Sequence, residues 1–208
     1  MSKTAETVPP WRAVVDDVLK WLNTSKLSTN VYLGVRGATN MLRARIADNL
    51  GAEMQSVVDE LQPYCHVCFV GACVLSKARV LDKLLVGEVL GPDLDPRIST
   101  EEGGRILDGV FDPDDLNLME AAFMADPWYF TYYSAKRRGV STWARRDKDS
   151  GPAYGAALFG WEAGGGDKQD LEARVRAVMA NVIENDGRFV VPPRTKDEWE
   201  KSGADNYR

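Results

Sequence analysis

The stretch Tyr64–Ser76, YCHVCFVGACVLS, is the longest run of this 208-residue chain without a charged side chain. On a helical wheel its apolar groups lie on every face, which is typical of a helix buried on all sides. A free cysteine behaves as a small hydrophobic residue and is often buried. The small residues at 71–73 would let a neighbouring helix pack closely. The stretch therefore predicts a central apolar helix that begins near residue 64.

The same stretch permits two chemical interpretations, which stay open beside the structural one. Cys65 and Cys68 form a C-x-x-C pair, so a thiol-redox site is possible where such a pair follows a strand and opens a helix. The preceding residues, MQSVVDELQPY, instead look helical. A zinc site would use Cys65, Cys68 and either Cys73 or His66. On a helix Cys73 would lie about 12 Å along the axis from Cys65, and a second C-x-x-C or a histidine pair is missing.

His66 is the only histidine in the chain, so any catalytic triad or histidine-rich metal site would have to use it. The sequence also lacks the spacing of a phosphate-binding loop or of a dinucleotide-binding loop. We therefore predict no catalytic residue, no metal site and no cofactor.

Amphipathic spacing outside the central stretch predicts further helices. Apolar residues recur with helical periodicity from Trp11 to Leu22 and from Leu171 to Val182. Asp112 followed by Pro113 is a helix-start signal. We expect a mainly α fold, a compact bundle of about seven helices around the buried helix, with at most a few short strands, one of them at residues 189–191.

Length and composition favour a single soluble domain. We expect a flexible terminus at 1–8, a globular domain at 9–191, and a short C-terminal helix with a polar tail at 192–208. The net charge of −5 disfavours a protein that coats nucleic acid, and no apolar run reaches the length of about 20 residues that a membrane span needs. A cytoplasmic protein without a membrane partner is predicted, and its oligomeric state is left undetermined.

One segment differs from the rest of the chain in composition. Residues 128–148, here called the basic-aromatic segment, contain six basic residues and one acidic residue, so the segment carries +5 and the remainder −10. Basic side chains beside exposed aromatic ones suit acidic protein surfaces, nucleotides and single-stranded nucleic acid. The alternative is that the aromatic residues belong to the core and the arginines pair with surface acids. The candidate binding residues are Trp128, Tyr129, Tyr132, Tyr133, Lys136, Arg137, Arg138, Trp143, Arg145 and Arg146.

Three short motifs resemble a group of bacterial and phage proteins that carry a C-x-V-C-A-L-G-A-like box and have no known activity. They are the cysteine box from Cys65 to Ala72, the stretch Met119–Phe123 and the stretch Arg176–Phe189. The resemblance implies a phage or mobile-element setting. We expect a non-enzymatic interaction protein that binds and modulates a host protein, for example a component of a defence system. A nucleic-acid or nucleotide-binding protein that uses the basic-aromatic segment is the first alternative, and a thiol-redox protein that uses Cys65 and Cys68 is the second.

Overall fold

The computed structural model describes residues 8–22, 26–29, 33–35, 40–61, 65–81, 84–89, 100–125, 151–166 and 169–193. The chain divides into two compact units, Met1–Pro113 and Asp114–Arg208, and each is described by itself. This division does not test the single domain expected at 9–191, which stays a prediction. The expected flexible terminus and C-terminal helix lie largely outside the described residues. None of the helices in these ranges is both long and apolar enough to cross a bilayer.

The predicted fold class is confirmed, because 68% of the described residues are helical and strands are few and short. The arrangement of the helices as one bundle stays a prediction. In the first unit the elements are α1 (Pro10–Trp21), β1 (Lys26–Leu27), β2 (Leu33–Val35), α2 (Asn40–Ala47), α3 (Gln55–Leu61), β3 (Cys65–Val67), α4 (Phe69–Val80), α5 (Val86–Val89) and α6 (Thr100–Ile106). They are followed by α7 (Pro113–Met124), α8 (Gly151–Ala163) and α9 (Leu171–Glu184).

Helix α1 begins where the proline pair predicts. Pro9 is its N-cap and Pro10 occupies the first helical position, where a missing backbone N–H removes no helical hydrogen bond. Val14, Val15 and Val18 are buried on one face, as their spacing predicts.

The uncharged stretch is not one helix, which corrects the expectation for its first residues. Cys65–Val67 is the central strand of a three-stranded sheet with the order β1-β3-β2, parallel to β1 and antiparallel to β2. Val67 lies opposite Leu27 on one side and Leu33 on the other. A short apolar run fits a buried strand as well as a buried helix, so periodicity did not distinguish them.

From Phe69 onwards the prediction of a buried helix is confirmed. Helix α4 packs against α1, α3 and α6, and most of its residues are buried. Cys68 and Cys73 are buried, with 3% and 0% of their surface exposed, as expected for cysteines that act as core residues. The Lys77 ammonium donates a hydrogen bond to the carbonyl of Ile106 at the end of α6, which ties α4 to that helix.

A charged cluster connects α1 to α4. Arg79 Nη1 lies 2.8 Å from Asp17 Oδ2, and Trp21 Nε1 donates to Asp17 Oδ1 at 3.1 Å. The guanidinium carbon of Arg79 also lies 4.1 Å from the centroid of the Trp21 ring, a cation–π contact. The side chains of Asp17 and Arg79 are only 7% and 13% exposed, so water screens this ion pair weakly.

The second unit contains α8, a helix that the sequence analysis did not predict. Its sequence, GPAYGAALFGWEA, is rich in small residues and has no polar face that would reveal helical periodicity. A Cβ atom added to Gly160 would lie 1.6 Å from the carbonyl oxygen of Ala122 in α7. The glycine is therefore what allows the backbones of α7 and α8 to approach this closely.

Residues 189–191 form no strand, contrary to the expectation. The Asn181 side-chain amide donates to the carbonyl of Val190 and accepts from its N–H, both at 2.8 Å. One side chain thus takes the place of a partner strand at this residue. Arg188 pairs with the buried carboxylate of Asp115, which fixes the same segment to the first turn of α7.

Candidate anion-binding site

The ten residues that the sequence analysis selected for binding all lie in the basic-aromatic segment, outside the described residues. The structure therefore does not test the arrangement of these ten side chains, and their role in binding stays a prediction. The described chain stops at Ala125, directly after α7, and resumes at Gly151, the first residue of α8.

The cysteine box has a different local structure from the one predicted. Strand β3 runs directly into Cys68, whose Sγ accepts a hydrogen bond from the N–H of Gly71 at 3.5 Å as the N-cap of α4. The helix expected before the C-x-x-C pair is present as α3, but Cys65 itself lies in β3. The zinc argument, which placed Cys65 and Cys73 on one helix, is therefore wrong. Within the part of the chain that the structure describes, no three residues of the metal-ligating types His, Cys, Asp and Glu form a group that could hold a metal ion.

A buried arginine in the second unit is the strongest candidate for a site. Arg174 lies in the first turn of α9, and its whole residue is 0% exposed. Its Nη1 donates to the carbonyl oxygens of Phe123 and Met124 at 3.2 and 3.4 Å. These are the last carbonyls of α7, where the negative end of the helix dipole stabilises a cation.

The other two nitrogen atoms of this guanidinium are buried without an acceptor. Among the described residues, Arg174 Nε and Nη2 have no hydrogen-bond partner. A guanidinium presents Nε–H and one N–H of Nη2 side by side, in the geometry that binds both oxygens of a carboxylate. Leaving such donors unsatisfied is costly, because buried N–H groups lose their hydrogen bonds to water. The two unpartnered atoms, Nε and Nη2, therefore lie on the same edge of the guanidinium, and this edge can bind both oxygens of one carboxylate.

Two residues next to this edge, Asp170 and Gly164, define its surroundings. Asp170, one turn earlier, is the N-cap of α9, and its Oδ1 accepts from the N–H of Ala173 at 3.0 Å. Burial lowers the pKa of the Arg174 guanidinium below its ordinary value, and the negative charge of Asp170 opposes that shift. Gly164 lies against the arginine, since a Cβ there would be 2.6 Å from Nε.

The sequence analysis missed Arg174, although the sequence contains a signal for it. Leu171, Arg174, Val175 and Val178 follow the i, i+3, i+4, i+7 spacing of one helix face. Val175 and Val178 are fully buried, so the arginine occupies an apolar position of the stripe. A charged residue at such a position predicts a buried polar contact.

The chain was compared with protein-family models, with curated proteins and with solved structures, and none of them matches it.

Proposed function

We propose that this protein is a non-enzymatic interaction protein whose basic-aromatic segment binds an acidic surface of a partner protein. The observation that carries the proposal is the charge asymmetry of the chain, +5 in 21 residues against −10 in the rest. A local surplus of arginine and lysine attracts an acidic partner, and arginine, tyrosine and tryptophan are the residues enriched at the energetic centres of protein interfaces. The resemblance of the cysteine box to bacterial and phage proteins extends the proposal to an accessory protein that modulates a host protein.

The proposal is tested with two variants of equal charge. In the first, Arg137, Arg138, Arg145 and Arg146 are changed to Gln. In the matched control, four arginines of the described helices, Arg12, Arg45, Arg105 and Arg176, are changed to Gln. Each protein is tagged and used to capture partners from a lysate of the native host, with and without nuclease, and the Kd of the captured partner is then measured.

We expect a near-stoichiometric protein to be captured in both lysates. Four exposed charge contacts of about 0.5 kcal/mol each predict that the first variant weakens the Kd about 30-fold. The control should bind normally, and the Tm of both variants should stay within about 2 °C of the parent, since surface substitutions rarely affect stability. Equal binding by both variants would place the interface elsewhere. A partner lost on nuclease treatment, with a steep salt dependence, would instead support the nucleic-acid alternative.

A thiol-redox function is the second candidate, because Cys68 is the N-cap of α4, where the helix dipole favours a thiolate. Its partner Cys65 lies within β3 and not at the helix start. The burial of Cys68 opposes it, since an exchanging thiolate must be reached by its partner. We expect Cys68 and Cys73 of the native protein to react with a thiol reagent at least 100-fold more slowly than in the unfolded protein, as buried cysteines do. The rate is measured with and without denaturant. Rapid reaction at Cys68 in the native protein would favour the redox function.

A further inference from the structure

We propose that the Nε–Nη2 edge of Arg174 is a binding site for a carboxylate group. The site is built from a fully buried side chain whose position is set by two backbone acceptors on α7, while its remaining edge has no acceptor. This inference does not rest on the proposed function, because it uses only residues of the second unit that lie outside the basic-aromatic segment.

Three features of the site favour a carboxylate over other anions. The two oxygens of a carboxylate are coplanar and match the two parallel N–H groups of the free edge. A carboxylate carries a single negative charge, which balances one guanidinium, whereas phosphate at neutral pH carries up to two and loses more hydration on burial. The carbonyls of Phe123 and Met124 already face Nη1, so a ligand of higher negative charge would also meet more repulsion.

The turn next to the edge contains three consecutive glycines. Gly164 lies against Arg174 Nε, and the next two glycines, Gly165 and Gly166, have φ angles of +71° and +65°. This backbone conformation suits glycine and strains other residues. The three glycines have no side chains, so binding at the edge requires only the backbone of this turn to move away from Arg174. The carboxylate belongs either to a free organic acid or to an Asp or Glu side chain of an acidic partner.

The Tm of the full-length protein is measured with one of four additives: sodium acetate, a peptide of six glutamates, sodium phosphate or sodium chloride. All four solutions have equal ionic strength. Binding to the folded state raises Tm, so acetate or the peptide should raise it by about 2 to 5 °C above chloride. A shift with acetate identifies a free acid as a sufficient ligand. A shift with the peptide alone that the Arg174→Lys variant described below loses identifies an acidic partner. A peptide shift that this variant keeps would come from the basic-aromatic segment and would overturn the assignment. The absence of both shifts, or a larger shift in phosphate, would overturn the assignment.

The variant Arg174→Lys keeps the positive charge but loses the paired N–H groups, so it should lose the carboxylate-dependent shift. The matched control is Arg176→Lys on the same helix, an exposed arginine that pairs with Glu172 at 2.7 Å and should keep the shift. An unchanged response in Arg174→Lys would contradict the proposal.

Should Arg174→Lys fail to fold, the side-chain Nε–H resonance of Arg174 is followed by NMR in the parent protein. A new acceptor should move this resonance downfield in a saturable way as acetate or the peptide is added. A resonance that stays in place throughout the titration would overturn the proposal. Either result is independent of whether the basic-aromatic segment captures a partner.

Discussion

Gly160→Ala is expected to destabilise the protein by about 3 kcal/mol, because the new methyl group would overlap the backbone of α7. The added Cβ would lie 1.6 Å from the carbonyl oxygen and 2.5 Å from the carbonyl carbon of Ala122. A backbone atom, unlike the end of a flexible side chain, yields only if the two helices separate. Separation would open the packing around Phe123 and Leu158, which are both fully buried. The free energy of unfolding in urea measures the loss.

Gly104→Ala is the matched control for this substitution. Gly104 lies inside α6, and a Cβ there would meet no atom within 4 Å. Alanine favours a helix over glycine, so this variant should gain about 0.5 to 1 kcal/mol. Equal stability of the two variants would contradict the short distance between α7 and α8 at Gly160.

Asp17→Ala is expected to lower the free energy of unfolding by about 3 kcal/mol, because it removes the buried carboxylate that pairs with the Arg79 charge. Asp17 accepts from Arg79 at 2.8 Å and from the Trp21 indole at 3.1 Å, so the substitution removes an acceptor from both. The cation–π contact between Arg79 and Trp21 persists and offsets part of the loss. Urea unfolding followed by circular dichroism gives the difference from the parent.

Two comparisons separate the buried ion pair from a general effect of charge. Asp16, the adjacent residue, pairs with Arg12 at 3.0 Å but is 53% exposed, so Asp16→Ala should change stability by no more than about 0.5 kcal/mol. The double variant Asp17→Leu with Arg79→Met removes both charges and should be more stable than Asp17→Ala alone. If the double variant were less stable than Asp17→Ala, the prediction that a buried Arg79 charge without the Asp17 carboxylate is the main cost would be wrong.

Several elements could be predicted from the sequence because their signals are local. The prolines before α1, the Asp112–Pro113 start of α7 and the apolar stripe of α9 act over one or two helical turns, and the helices begin where these signals indicate. The C-terminal end of α9 follows the same rule, since Gly187 there has a φ of +88°.

Other features depend on residues distant in the chain and were missed. Strand β3 forms because β1 and β2 supply hydrogen bonds on both sides, which the residues 65–67 do not reveal. Helix α8 consists mainly of small apolar residues, whose helical preference depends on close contact with α7. Arg174 does not stand out in the composition, because it is a single charged residue within an apolar stripe and not part of a cluster of charges.

The sequence by itself determined the mainly α class, the start and end of the strongest helices, the burial of Phe69 to Ala78, and the concentration of positive charge in the basic-aromatic segment. These properties follow from composition, capping and periodicity, which act between near neighbours in the chain. Only the tertiary structure decided that Cys65–Val67 is a strand, that Gly160 meets Ala122, and that Arg174 satisfies one nitrogen on α7 while its bidentate edge stays without an acceptor. The physical reason is that hydrogen-bond satisfaction and close packing are set by partners brought together in space, and those partners lie up to 73 residues apart along the chain.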